Sequence, residues 1–298
     1  MDKYNGNLAA AGAYVIWGFL PVYWKVLANV PAYEIMCHRM VWSLVFTLGL
    51  IIVLGRWQSM MRLVRNFRSA VGVAFAAILL SCNWLLYIWA VNAGAVVEAS
   101  LGYFINPLIS VLFGVVFLRE RLRLMQCISL FTALAGVLYL TYYYGEFPWI
   151  ALSLAATFAV YGLLHKKTSL PALEGLSLET LVLSVPAALF LAYGEIDGSG
   201  SFLSSGPMVS LLLFGTGLVT SVPLLLFGYA ARKISLTLLG LLQYIAPTIN
   251  LLLGILVFSE PFPPARMAGF VIIWSALFLY MAEGMYLKVR QKKILAGS

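Results

Sequence analysis

Long apolar blocks separated by short polar segments fill almost the whole of this 298-residue chain. A helix needs about 20 apolar residues to cross the hydrocarbon core of a bilayer. Only 10% of the residues are charged, whereas soluble domains have roughly a quarter, so polar surface is too scarce to cover a water-facing globule. The pattern predicts an all-α polytopic membrane protein with no room for a separate soluble domain.

Ten of the blocks are long enough to be spans. The first block follows a short polar start and has full span length, so we expect it to remain as a helix rather than to be removed as a signal peptide. The predicted spans are 7–29, 33–54, 70–92, 97–118, 122–142, 147–164, 175–194, 208–230, 236–258 and 264–287.

Lys and Arg residues predict the orientation of these spans. With a cytoplasmic N-terminus, all of the 19 basic residues except Lys25, Arg39 and Arg266 fall in cytoplasmic segments. The opposite loops contain Glu195 and Asp197 instead. This positive-inside bias predicts a multi-pass protein of the bacterial inner membrane with both termini in the cytoplasm. It also accounts for the net charge of +8 without a nucleic-acid partner.

A repeat relates the two halves of the chain at an offset of 140 residues. The segment LGYFINP at 101–107 resembles LLQYIAP at 241–247. Because each half contains five spans, the second copy is inverted relative to the first. We therefore predict two repeats, residues 1–143 with spans one to five and residues 144–298 with spans six to ten. Inverted repeats of this kind provide alternating access in secondary transporters.

Ionisable side chains inside spans are expensive to bury and are functional candidates by default. Five of them lie at the predicted external ends of the first, second and fourth spans, close enough to pair: Lys25, Glu34, His38, Arg39 and Glu98. Glu179 occupies the position of Arg39 in the second half, and its possible partners are Lys166, Lys167 and Arg232. Each group is either a gate or a structural ion-pair network, and the sequence leaves both open.

Prolines, aromatic residues and amides mark the middle of the spans. Pro107 and Pro247 each remove a backbone hydrogen bond and are expected to kink their helices. An apolar cavity with a few placed polar groups suits a small-molecule site. We predict a central cavity lined by Trp17, Asn83, Trp84, Tyr87, Tyr103, Asn106, Tyr161, Gln243 and Tyr244. Trp24 and Trp57 are interpreted as anchors at the membrane interface.

Catalytic functions have little support in the sequence. The only Asp residues, Asp2 and Asp197, lie outside the spans, so an aspartyl intramembrane protease would lack its catalytic pair. His38 and His165 are the only histidines, which excludes a His-rich metal site. No Walker-type phosphate loop is present. We therefore expect no catalytic residues, no metal and no cofactor.

Several segments resemble a known family. Trp17-Gly18, Asn83-Trp84-Leu85, EASLGYFINP at 98–107 and QYIAPT at 243–248 are similar to segments of the RarD-type permeases in the EamA family of the drug/metabolite transporter superfamily. The resemblance runs over nearly the whole chain. It implies ten spans in two EamA repeats around a central cavity, and export or exchange of small metabolites. RarD-type members are often labelled chloramphenicol-sensitive proteins, which does not define a substrate.

Three functions follow as alternatives. The first is a secondary carrier for a small organic metabolite, such as an amino acid or related anion, because Lys25 and Arg39 can meet a carboxylate. The second is an efflux carrier for lipophilic drugs, and the third is a non-transporting membrane scaffold. The expected partners are the substrate, the lipid bilayer, and a proton or an exchanged metabolite. One chain of this size can enclose its own cavity as a monomer.

Overall fold

The computed structural model describes residues 2–93, 95–145, 147–167, 171–259 and 264–296. Within these ranges the chain consists of helices and turns, without a strand. The helices are α1 (Asp2–Val26), α2 (Ala32–Val53), α3 (Trp57–Arg65), α4 (Phe67–Asn92), α5 (Val96–Leu118), α6 (Leu124–Tyr144), α7 (Trp149–Lys167), α8 (Ala172–Asp197), α9 (Pro207–Lys233), α10 (Leu236–Leu242), α11 (Ile245–Leu256) and α12 (Pro264–Ala296).

Nine stretches of the described chain are helical, long and apolar enough to cross a membrane. They correspond to the second to tenth predicted spans, so the prediction of an all-α polytopic membrane protein is confirmed. Helix α1 has 25 residues but is not among the nine. The first predicted crossing, and with it the total of ten, therefore stays a prediction.

The ninth predicted span is two helices rather than one. Helix α10 ends at Leu242 and α11 begins at Ile245, with Gln243 and Tyr244 between them. Pro247 explains the break, because its ring clashes with the carbonyl four residues earlier, which belongs to Gln243. The turn is closed instead by shorter-range bonds, including Ala246 N–H to the Gln243 carbonyl at 3.2 Å. The expected kink at Pro247 is thus an interruption of the helix.

Pro107, by contrast, lies inside the continuous helix α5. Its carbonyl oxygen faces Gly240 of α10, where an added Cβ would come within 2.9 Å of that oxygen. A small residue is needed here because the two backbones approach each other closely, as is common between membrane helices. Pro107 therefore marks the contact between α5 and the broken span.

Helices α2 and α8 pack against each other and run antiparallel. Where α2 begins, the Glu34 carboxylate accepts hydrogen bonds from the Ser201 backbone N–H at 2.6 Å and the Ser201 hydroxyl at 2.7 Å, just after α8. Where α8 begins, Glu174 Oε1 lies 2.9 Å from Arg56 Nη2, just after α2. We call these two ends of the bundle the Glu34 end and the Glu174 end. The charge pattern predicts that the Glu34 end is external.

The other long helices enclose this pair. Helix α9 packs against both α1 and α2, α1 also contacts α11, and α5 packs against α7 and α10. Helices α4 and α7 contact each other, and α6 pairs with α12. The side chains of Tyr14, Tyr161 and Phe227, from α1, α7 and α9, are almost fully buried at the centre. Trp17 and Tyr161, two of the predicted cavity residues, pack in this cluster.

Candidate functional site

Arg39 is a charged side chain placed well inside the membrane-spanning part of α2. It follows the first residue of the helix, Ala32, by seven positions. A rise of about 1.5 Å per residue puts it about 10 Å along the helix axis. The hydrocarbon core of a bilayer is about 30 Å thick, so the guanidinium lies too deep for headgroup water to solvate it freely.

Neutral groups surround the Arg39 guanidinium. Its Nε donates a hydrogen bond to Thr220 Oγ1 of α9 at 3.0 Å, and Nη1 lies 3.0 Å from the sulfur of Met36. The rings of Trp24 and Trp84 face it, with centroids 5.1 and 5.0 Å from Cζ. Aromatic faces stabilise a cation by their quadrupole, by about 0.5–2 kcal/mol each. The described side chains of this pocket therefore hold the charge by neutral contacts.

Among the described side chains, no carboxylate lies within 4 Å of Arg39. Glu34 is five residues away but is bound to Ser201. The Glu98 side chain lies outside the described residues. A guanidinium has five N–H donors in a fork that matches a carboxylate. Two of its nitrogens are engaged by weak or neutral acceptors, so the remaining donors are available to an anion.

Tyr87 and Tyr103 stand beside this pocket. Both lie within electrostatic reach of Arg39. The rings are 6.5 Å apart between centroids, and the two residues are 37% and 46% exposed. Ionisable groups within spans face the bundle interior or a water-filled cavity rather than lipid. Arg39 is such a group, and two partly exposed tyrosine rings lie beside it.

A second cluster of predicted cavity residues is aromatic. The Trp17 ring centroid lies 5.5 Å from that of Tyr14, 5.9 Å from that of Phe158 and 5.8 Å from that of Phe227. Tyr161 stacks on Phe227 at 6.1 Å with an interplanar angle of 13°. Trp17 and Tyr161 are thus brought together around Phe227, and their role as cavity residues stays a prediction.

Three buried polar atoms near the centre have no hydrogen-bond partner within the described part of the chain. They are Oε1 of Gln243, Oδ1 of Asn106 and Oγ of Ser221. Buried polar groups in native proteins nearly always have a partner, whether protein, water or ligand. Gln243 and Asn106 were predicted on sequence grounds, and their open acceptors suit a site that receives a polar molecule.

Two predicted cavity residues instead join helices. The Asn83 amide donates to the Leu154 carbonyl and to Thr157 Oγ1, each at 2.8 Å, which ties α4 to α7. The Tyr244 hydroxyl is buried and donates to the Phe104 carbonyl at 3.1 Å. The donors of both side chains are therefore used within the protein, and a role in ligand recognition stays a prediction for both.

Trp24, which was not among the predicted cavity residues, lies beside Arg39. It was assigned to the membrane interface, but its ring faces Arg39. Thr220, which accepts the Arg39 hydrogen bond, was not singled out at all. No sequence signal indicated Thr220, because threonines in apolar helices commonly bond to their own backbone. Only the packing of α9 against α2 shows its role.

Glu98 lies outside the described side chains, and the other four predicted external charges do not form one network. Glu34 is bound to Ser201 and lies 3.8 Å from His38 Nε2, whose Nδ1 accepts from Trp42 Nε1 at 3.1 Å. Lys25 is exposed and lies 3.8 Å from the centroid of the Phe258 ring. Arg39 points to α9 instead. The distance along α2 explains this, because a rise of about 7.5 Å separates residues five positions apart.

Glu179 also has partners other than those predicted. Its Oε2 accepts a hydrogen bond from the Tyr161 hydroxyl at 2.9 Å, and Oε1 lies 3.4 Å from His165 Nε2. Lys166 donates to the Ile234 carbonyl, and Lys167 lies above the Phe117 ring. These Lys side chains turn away because α7 presents Tyr161 and His165, one turn apart, on the face toward α8.

The Glu174–Arg56 ion pair was missed in the sequence, although a signal for it exists. Pro171 lies 140 residues after Pro31, and Glu174 lies 140 residues after Glu34. This is the offset already found for the repeat. Both glutamates are buried in the first turn of a helix. Within the described residues no group of three His, Cys, Asp or Glu side chains is placed to hold a metal ion.

Comparisons with known proteins find relatives along nearly the whole chain. The profile of the EamA-like transporter family matches residues 4–142. "Protein RarD" of Streptomyces exfoliatus is 46% identical over 278 residues, which cover 93% of this chain and 88% of the relative. "Uncharacterized transporter YojE" of Bacillus subtilis (strain 168) is 43% identical over 280 residues, 93% of each protein. A solved crystal structure that is 20% identical superposes with a TM-score of 0.71 over 93% of this chain and 97% of its own, so the fold is shared.

Proposed function

The chain belongs to the RarD-type branch of the EamA-like transporter family, and from this premise we propose that it is a secondary carrier for small metabolites that have a carboxylate. Amino acids are the class we favour. A role as a membrane transporter follows from the family, whereas the substrate class is our inference from the site. The Arg39 guanidinium, held inside the membrane without a described acidic partner, is the observation on which the inference depends.

The chemistry of Arg39 supports a carboxylate ligand. Burying an unpaired cation is unfavourable unless an anion or hydrogen-bond acceptors compensate for it. A bidentate carboxylate supplies both, and hydrogen bonds to charged groups contribute about 1.5–3 kcal/mol. Trp24 and Trp84 hold the guanidinium in place for such a contact. Apolar substrate side chains can meet the aromatic surface around Trp17.

Contacts at both ends of the bundle support a carrier mechanism. The Glu34–Ser201 bonds join α2 and α8 at one end, and the Glu174–Arg56 ion pair joins them at the other. In our proposal residues 1–143 and 144–298 are inverted repeats, and the two contacts open in turn to expose Arg39 to one side of the inner membrane at a time. Both termini are then cytoplasmic, as the charge pattern predicts.

A ligand panel tests the substrate class. The purified protein is heated with individual amino acids, other carboxylates or chloramphenicol, and the shift in unfolding temperature is measured. A ligand that binds the folded state stabilises it by an amount set by its concentration and Kd. We expect amino acids to stabilise the wild type. In Arg39→Gln, the amino-acid concentration needed for the same stabilisation should be about 10-fold to 100-fold higher, because the change removes a charged hydrogen bond of about 1.5–3 kcal/mol.

Two controls complete this experiment. Arg62→Gln removes an exposed arginine of α3 and should leave the ligand response unchanged. Stabilisation by chloramphenicol alone, equal in the wild type and Arg39→Gln, would favour the drug-efflux alternative, because a neutral drug has no carboxylate for Arg39. A response to no ligand, together with no flux in liposomes, would favour the scaffold alternative.

A further inference from the structure

Three titratable side chains meet inside the bundle, away from Arg39. Glu179 is fully buried in α8, and Tyr161 and His165 of α7 are 1% and 4% exposed. The Tyr161 hydroxyl donates to Glu179 Oε2 at 2.9 Å, and His165 Nε2 lies 3.4 Å from Oε1. Glu179 follows Ala172, the first residue of α8, by seven positions, which is about 10 Å from the Glu174 end.

Among the described residues, no Lys or Arg side chain forms an ion pair with this cluster. Within 4 Å of the Glu179 carboxylate, His165 is its only described basic neighbour. Glu174, one turn earlier on α8, is paired with Arg56. The other charged or titratable side chains at this end of the neighbouring helices, some of them exposed, are Arg62, Arg65, Glu120, Lys166, Lys167, Tyr229, Arg232 and Lys233. The charge of Glu179 therefore depends chiefly on His165.

The low dielectric of the interior makes this pair sensitive to a proton. With a carboxylate and a neutral imidazole, the pair has a net charge of −1 in a place where an isolated charge is strongly unfavourable. One added proton makes the net charge zero, whether it resides on Glu179 or on His165. The pair can therefore hold one proton without a net charge, and exchange of that proton requires access to water.

His165 offers a route for that exchange. Its Nδ1 has no hydrogen-bond partner in the described part of the chain, although the side chain is buried. The atom faces Gly228 of α9, where an added Cβ would be 3.5 Å from Nδ1. Only backbone and no side chain of Gly228 covers this edge of the imidazole, so a movement of α9 relative to α7 would admit water to Nδ1.

The cluster is also connected to the centre of the protein. Tyr161, which donates to Glu179, stacks on Phe227, and Phe227 contacts Trp17 of α1. A substrate that moves these rings therefore moves the hydroxyl that holds the carboxylate. Substrate movement and proton release are in this way mechanically linked through three aromatic side chains.

We propose that Glu179, His165 and Tyr161 form a proton-binding site that couples transport to the proton gradient, with one proton taken up from water on one side and released to water on the other in each cycle. This inference rests on the proposed carrier function. Tyr161 acts as a positioning residue, because its hydroxyl orients the carboxylate, while Glu179 and His165 hold the proton.

Infrared spectroscopy tests proton binding without any substrate. Difference spectra of the protein in liposomes are recorded between about pH 8 and about pH 3, a range that includes the ordinary pKa values of imidazole and carboxyl groups. We expect a carboxylic-acid or imidazolium band that is lost in Glu179→Gln and kept in Asp197→Asn, an exposed acidic residue of the same helix. Identical spectra for wild type and Glu179→Gln would overturn the proposed site.

Flux measurements test coupling and separate the two proposals. Liposomes containing the protein are loaded with a mixture of radiolabelled amino acids. Efflux is measured without a pH gradient and with a gradient imposed in each direction, and the direction that gives the faster efflux is used for the comparison. The ratio of the rate with the gradient to the rate without it should exceed one in wild type and in Asp197→Asn. It should fall to about one in Glu179→Gln and His165→Gln. Wild-type efflux that ignores the gradient would refute coupling alone. Absence of wild-type efflux and exchange would refute the amino-acid carrier, while the infrared result would still decide the proton site.

Discussion

Glu34 and Glu174 occupy the same position in two antiparallel helices, two residues beyond Ala32 of α2 and Ala172 of α8, and each binds the segment that follows the other helix. Glu34 accepts two hydrogen bonds from Ser201, and Glu174 pairs with Arg56. The two contacts lie at opposite ends of the bundle. In this conformation both ends are therefore joined, and a carrier that exposes its site must break one contact at a time.

The Glu34 contact is expected to order the segment after α8. Glu34→Gln loses the charge assistance of the bonds to Ser201, and hydrogen bonds to charged groups contribute about 1.5–3 kcal/mol. The backbone N–H of Ser201 should then exchange with deuterium about 10-fold or more faster, as hydrogen-exchange mass spectrometry can measure. Asp197→Asn, an exposed change in the same region, is the control. Equal exchange rates in wild type and Glu34→Gln would contradict the assignment.

At the other end, Arg56→Gln leaves the fully buried Glu174 carboxylate without its partner. We expect destabilisation of about 1–3 kcal/mol, the range for an unsatisfied buried group, because Arg56 itself is 42% exposed. The double variant with Glu174→Gln should be less destabilised than the sum of the single variants by about 0.5–3 kcal/mol. Unfolding in detergent measures all three, and strict additivity would show that the pair has no coupling energy.

Trp24 should affect ligand binding although it was first interpreted as a membrane anchor. Trp24→Leu removes one aromatic face from Arg39, a contact of about 0.5–2 kcal/mol, and should weaken amino-acid binding by about 2-fold to 30-fold. The measurement is ligand-dependent thermal stabilisation. Trp57→Leu, a half-exposed tryptophan of α3, should have no effect. A larger effect of Trp57→Leu than of Trp24→Leu would contradict the assignment.

Asn83 should matter for stability rather than for ligand recognition. Asn83→Ala removes two hydrogen bonds between α4 and α7, and interhelical hydrogen bonds in membranes contribute about 0.6–1.7 kcal/mol. We expect a lower unfolding temperature with unchanged ligand affinity. Cys82→Ala, at an exposed neighbouring position, controls for changes on the same helix. A specific loss of ligand affinity in Asn83→Ala would return Asn83 to the binding site.

Gly217 permits the close contact between α9 and α2. An added Cβ would lie 2.4 Å from the backbone carbon and oxygen of Trp42. Gly217→Ala should therefore destabilise the protein by about 1–3 kcal/mol, since backbone atoms cannot move aside locally. Gly49→Ala, on α2 with open space around the position, should be neutral or stabilising by up to about 1 kcal/mol. Thermal unfolding of both variants shows whether helix propensity or packing determines the effect of an added Cβ on stability at each position.

The sequence predicted the helices well because each apolar block can satisfy its backbone only by forming a helix in the bilayer. The ends of α2, α5 and α8 lie within about four residues of the predicted ends. The broken ninth span was not predicted as two helices, although Pro247 was recognised. Whether a proline bends a helix or interrupts it depends on the backbone that packs against it, which here is that of α5. A local sequence pattern does not indicate this contact.

The sequence by itself determined that the protein is a helical membrane protein, that it resembles EamA-type permeases, and that Arg39 and Glu179 are unusual charges. These properties follow from composition, periodicity and motifs, which act locally along the chain. Only the tertiary structure decided that Arg39 meets Thr220, Trp24 and Trp84, and that Glu179 meets Tyr161 and His165. The partners of a buried charge are set by which helices pack together and by their rotation, because those alone determine which side chains replace water around it.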